Sequence, residues 1–139
     1  MIRLYADGVF SGDTFSPRLA EQKTGLKFST KNEPGEIALI GRYMGQPRPY
    51  GMAILKAPFD SATKPRSQPP EEWIADALAQ HIHDIRSCGA TEIHVNIVVA
   101  WKDQCNIGLS ATFISKIGQL NIPVALSCYE AKEEEVEPD

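Results

Sequence analysis

His81, His83, Cys88 and His94 are the one group in this chain that places metal-ligating residue types within a short stretch. Their spacing works against a shared ion, because residues at i and i+2 on a helix point about 200° apart. His81 then belongs beside an apolar face and His83 in water, and no metal is expected. Cys88 precedes Gly89 at what reads as a helix C-terminus, where the macrodipole disfavours a thiolate, so it is not read as a nucleophile. Cys105 falls in a loop beside Asn106 with no histidine near it in sequence. The three cysteines are odd in number and lack a Cys-x-x-Cys pair, which argues for reduced, buried thiols and against a disulfide framework or zinc knuckle. Asp7 and Asp13 flank a glycine-bearing loop, where paired carboxylates can do acid/base work or hold a hard cation. Asp7-Gly8 reads more simply as a turn. Gly8, Gly12, Gly25, Gly41, Gly45 and Gly51 form neither a G-x-G-x-x-G nor a Walker spacing, and read as turn residues rather than a phosphate cradle. No catalytic residue, metal or cofactor is assigned.

Other residues suit contact with a partner. Between positions 42 and 66 the chain carries Arg42, Arg48, Lys56, Lys64 and Arg66 against Asp60 alone, interleaved with Tyr43, Tyr50 and Phe59. Arginine with tyrosine suits a protein-protein hot spot and also base stacking, although exposed hairpin charges commonly serve solvation. Trp101, followed by Lys102 and Asp103, ends an apolar run and is a second contact point, unless a loop buries it. The partner-binding set is therefore Arg42, Arg48, Tyr50, Trp101 and Asp103.

The elements that must position these residues are read from periodicity and punctuation. Residues 2–5 alternate before Asp7-Gly8 and predict a short first strand. Ser16-Pro17 opens a short helix that Gly25 stops. Residues 26–30, 36–43 and 50–55 predict three strands of a meander, separated by Glu33-Pro34-Gly35 and by the Gly45-to-Pro49 stretch. The proline-bearing stretch 57–70 is a long surface connection. From Pro70 onward, Trp73, Ile74, Ala77, Leu78, Ile82 and Ile85 recur at helical spacing until Gly89. Residues 92–101 predict a central strand with Ile93, Val95, Ile97 and Val99 on one face. Ser110 caps a helix bearing Phe113, Ile114 and Ile117, and 123–129 returns as the last strand. The order is β-α-β-β-β-α-β-α-β, an α/β (α+β) two-layer sandwich with helices on one face of a mixed or antiparallel sheet, of ferredoxin-like flavour. Phe15 to Leu19 and Leu109 to Phe113 align 94 residues apart, which raises an internal repeat and a pseudo-symmetric sheet.

The 139 residues fit one domain, expected over 1–129, with an acidic, disordered tail over 130–139. That tail carries six acids against Lys132, so the formal charge of -4 leaves the body near +1. Non-specific nucleic-acid binding is poorly supported on that balance. A hydrophobic fraction of 42% and a charged fraction of 23% belong to an ordinary globular chain. No secretory leader pattern opens the sequence and no apolar run approaches the roughly 18 residues of a membrane span, so a cytoplasmic protein without a membrane partner is expected.

Ser11-Gly12-Asp13-Thr14-Phe15-Ser16-Pro17, the short helix ending near Gly25-Leu26, Pro34-Gly35-Glu36 and Arg48-Pro49-Tyr50-Gly51 follow one another in an order that resembles domain-of-unknown-function family 4279, small bacterial proteins. The later helix and strand, then Ile107-Gly108-Leu109-Ser110 with a short helix and last strand, extend the resemblance over nearly the whole chain. It implies no catalytic residues, because that family has no established activity. Small acidic bacterial proteins of this kind resemble immunity proteins, which neutralise a partner toxin by binding it. The leading expectation is thus a non-enzymatic protein-binding domain with a protein toxin as partner. The rivals are a small enzyme or ligand-binding domain with a site assembled from Asp7, Arg42, His94 and Cys105, and a structural homodimer paired through the strand at 123–129.

Overall fold

The computed structural model describes residues 2–58 and 68–132. Its elements are β1 (Ile2–Gly12), α1 (Pro17–Thr24), β2 (Thr30–Asn32), β3 (Gly51–Lys56), α2 (Pro70–Ser87), β4 (Glu92–Trp101), α3 (Ala111–Leu120) and β5 (Val124–Glu130). The five strands form one sheet in the order β2-β3-β1-β4-β5, antiparallel except for the β4/β5 pair. The sheet is open and mixed, and the molecule is the expected two-layer α+β sandwich. The central pair β1/β4 separates two unlike halves. α3 returns the chain to the strand beside β4, whereas the chain leaving α1 passes to the far edge before coming back to β1 through β3.

The core follows from side-chain alternation. Ala6 and Phe10 of β1, Ala53 and Leu55 of β3, and Val95, Ile97 and Val99 of β4 are all buried in one cluster with the helices. α2 lays Ile74, Leu78, Ile82 and Ile85 of the expected stripe on that face, with Ala75 buried beside them and Trp73 and Ala77 only partly buried against the core. Phe10 packs against Phe15 and Phe28 with ring centroids 6.4 and 5.7 Å apart. Ser16 and Ser110 cap α1 and α3, their hydroxyls accepting from the Leu19 and Phe113 amides. Gly25 closes α1 at φ 76°, as its type demands.

Four expectations are corrected. β1 runs to Gly12 instead of stopping at Asp7-Gly8, because Gly8 is not a turn residue: a Cβ there would lie 3.2 Å from the Phe10 ring and 3.8 Å from Leu78, where α2 crosses. Gly12 and Gly51 are likewise close-approach glycines, with Cβ positions 2.2 Å from the Gly89 carbonyl oxygen and 1.8 Å from that of Phe15. Residues 36–43 form no strand, for reasons given below. Glu130 belongs to β5, and Ala131 is buried with its amide donating to the Trp101 carbonyl at 2.7 Å, so these two residues are part of the folded body and not of a tail. Residues 133–139, and Phe59, Asp60, Lys64 and Arg66 of the basic-aromatic stretch, lie outside the described residues.

Candidate functional site

Between β2 and β3 the chain leaves the sheet as an arm, residues 33–50. Two prolines decide its form. Pro47 and Pro49 have no amide hydrogen, so no continuous ladder can close, and only the isolated bridges Ile37–Pro47 and Ala38–Met44 remain. The legs are still tied, Gly35 donating to the Arg48 carbonyl and Arg48 to that of Glu36 at 2.8 Å, and Ala38 to that of Gln46 at 3.0 Å. Gly41 and Gly45 take φ of 82° and 80°, which lets the apex reverse. The Met44 amide closes that turn on the Gly41 carbonyl at 3.2 Å.

The root of the arm is fastened to the body. Asn32, buried at the end of β2, donates its side-chain amide to the Tyr50 carbonyl at 2.9 Å, joining the two legs where they enter the sheet. Glu33 accepts from the Ser16 hydroxyl and from the Arg18 amide, which sets its carboxylate at the N-terminus of α1. Ala38 is buried and anchors the middle.

Beyond that anchor the apex is apolar and open to solvent. Ile37, Leu39, Ile40 and Met44 are 56, 83, 75 and 67% exposed. Arg42 stands beside them with its guanidinium 5.6 Å from the centre of the Tyr43 ring, and Tyr43 meets Tyr50 edge-on at 6.3 Å. The arm's charges, Glu33 and Glu36 against Arg42 and Arg48, cancel. It holds no nucleophile and no acid/base pair; what it offers chemically is apolar surface edged by an arginine and tyrosines.

The structure divides the sequence-derived contact set. Arg42, Arg48 and Tyr50 belong to the arm. Trp101 and Asp103 sit at the opposite end of the sheet: Trp101 pairs with Ile2 and Gly51 with Gly12, ten residues along β1 or roughly 33 Å. Trp101 is half-buried, and exposed Asp103 takes φ 69° in a tight turn. They cannot share a compact contact surface with the arm. Sequence reading also missed the apex residues themselves, whose signal is a run of apolar types between Gly35 and Gly45 with no partner strand to cover them.

Nor do the residues of the assembled-site rival converge. Asp7 lies on the uncovered face of the sheet, with Lys56 and Asn96 opposite it on the two neighbouring strands. It lines a cleft of about 350 Å³ with Tyr5, Lys56, Pro58 and Val98. Partial burial raises the Asp7 pKa above the usual carboxylate value, and Lys56 works in the opposite direction. His94 is a diagonal neighbour on the same face, about 7–8 Å away. Arg42 is on the arm, and Cys105 follows the turn at the other end of the sheet. Among the described residues no three His, Cys, Asp or Glu side chains are grouped to hold a metal. His81 is half-buried and His83 exposed, as their helix positions require.

The cysteines depart from expectation. Cys88 is buried, but Cys105 and Cys128 are exposed. The latter two interact: desolvation first, then the Cys128 thiol, raises the pKa of Cys105.

No protein-family model matches the chain, and no curated protein or solved structure resembles it closely enough to assign a family. Among the described residues no helix is long and apolar enough to cross a membrane.

Proposed function

We propose that this protein is a non-enzymatic protein-binding domain whose contact element is the arm at 33–50. One observation carries the reading: four large apolar side chains stand at 56 to 83% exposure on an apex that is internally hydrogen-bonded and fastened at its root. Apolar surface of this kind on a folded chain marks an interaction site, and holding it in one conformation lowers the entropy lost on binding. The apex suits insertion into an apolar cleft of a protein partner, with Arg42 and the tyrosines at the rim. A charge-balanced arm offers no basic cluster for phosphate, which favours a protein over nucleic acid. The specific form we favour is toxin neutralisation, the apex occluding a cleft as an immunity protein would.

The test is affinity capture from the native source at physiological salt, comparing the wild-type chain with the combined Leu39→Ser, Ile40→Ser and Met44→Ser variant. A stoichiometric protein held by the first and lost by the second is expected. A partner held equally by both contradicts the reading.

The homodimer has its own support. β5 is an edge strand in which six of seven residues are exposed, Leu126 and Tyr129 among them, and it holds no proline or lysine to discourage pairing. Light scattering of the purified chain at two concentrations distinguishes this reading from the first, since only edge pairing doubles the mass without another protein.

A further inference from the structure

The parallel pairing of β4 with β5 sets Cys128 beside Val99 and Glu130 beside Trp101. Immediately after Trp101 the chain turns on itself: the Gln104 amide donates to the Lys102 carbonyl at 2.8 Å, Asp103 between them takes the left-handed φ of 69°, and Lys102 and Gln104 form a bridge. A reversal this tight sends the next residue back along the strand end it has just left. Cys105 is thus turned back at the end of the sheet where β5 carries Cys128, and the two thiols interact although they are separated by the whole of α3.

We propose that Cys105 and Cys128 form a reversible dithiol/disulfide pair, a redox-modification site that ties the loop after β4 to the edge strand β5. Both thiols are exposed and open to a small oxidant, whereas Cys88, 7% exposed in the core, is shielded. The oxidant is a low-molecular-weight disulfide of the glutathione class. The thiolate of one cysteine attacks a sulfur of that disulfide, whose S–S bond breaks and releases one glutathione thiolate. The other cysteine, as thiolate, attacks the protein sulfur of the mixed disulfide; the Cys105–Cys128 bond forms and the second glutathione departs. Two protein thiols are oxidised, one small disulfide is reduced to two thiols, and the two protons pass to the departing glutathiones. Reduced glutathione reverses both steps. The closed ring encloses α3, so oxidation fixes the approach to the Ser110 cap against β5.

The experiment equilibrates the full chain in buffers of oxidised and reduced glutathione, quenches with an alkylating maleimide under denaturing conditions, and measures intact and peptide masses. Expected is the joint loss of alkylation at Cys105 and Cys128, a mass lower by two hydrogen atoms before alkylation, one remaining alkylated thiol at Cys88, and full recovery in excess reduced glutathione. Cys105→Ser and Cys128→Ser should each stop at a glutathione adduct on the remaining exposed cysteine. Separate glutathione adducts on both cysteines of the wild type, a disulfide between two chains, or three free thiols in the oxidised buffer would each overturn the proposal.

Discussion

Replacing both Leu39 and Ile40 by serine separates a binding arm from an arm that merely packs on its own body. At 83 and 75% exposure, only about a fifth of each side chain is removed from water in the free protein. Full burial of a leucine or isoleucine is worth about 1.5–3 kcal/mol, so the folded chain should lose only about 0.3–0.6 kcal/mol per residue. In a complex the same side chains are desolvated by the partner, and truncating an interface anchor costs about 2 kcal/mol or more, roughly 30-fold in Kd for each. Urea denaturation followed by circular dichroism reads the first quantity, with an unchanged slope showing that the unfolded state is not altered. Titration calorimetry with the captured partner reads the second. A stability loss above about 2 kcal/mol would refute the reasoning, because it would mean that the apex side chains already hold the chain's own fold together. Unchanged affinity would refute it equally.

Asp7→Asn tests the uncovered sheet face. Burial raises the Asp7 pKa in the folded state, so folding favours its protonated form; that contribution is fully present below the unfolded-state pKa and is lost as pH rises through the folded one. The asparagine variant should therefore gain stability relative to wild type at neutral pH, and the difference should vanish in acid; denaturant midpoints across pH check this, and a constant difference contradicts it. Ser110→Ala removes the acceptor for the Phe113 amide and the donor to Glu72, and should cost about 1 kcal/mol, measured by the same denaturation. Closing the ring between Cys105 and Cys128 should stabilise the oxidised chain by about 3 kcal/mol over the reduced one on the loop-entropy model, read as a shift in thermal midpoint that the Cys105→Ser variant lacks.

The parts of this fold legible in the sequence are those whose reason is local. α2 could be read because Ile74, Leu78, Ile82 and Ile85 repeat at helical spacing, β4 because Val95, Ile97 and Val99 alternate, and both serine caps because a cap bonds an amide three residues on. What escaped depends on contacts distant in sequence. Gly8 looks like a turn until β1 is seen to continue through it, with the Phe10 ring 3.2 Å from where its Cβ would stand. Residues 36–43 have the composition of a strand, but Pro47 and Pro49 on the returning leg deny them a ladder. Arg42, Arg48 and Tyr50 were legible as contact residues, whereas grouping them with Trp101 and Asp103 required a register that one-dimensional spacing does not contain. The Cys105–Cys128 pair is hidden for the same reason, since a three-residue turn and a parallel strand pairing bring the two together across a helix.

Hydrogen exchange on the free protein and on its stoichiometric complex measures the contact surface directly. Slowed exchange confined to the amides of residues 39–45, with β5 unchanged, is the result a binding arm predicts. Protection along the outer edge of β5 with an apex that exchanges as freely as before would contradict it and place the interface on the sheet edge.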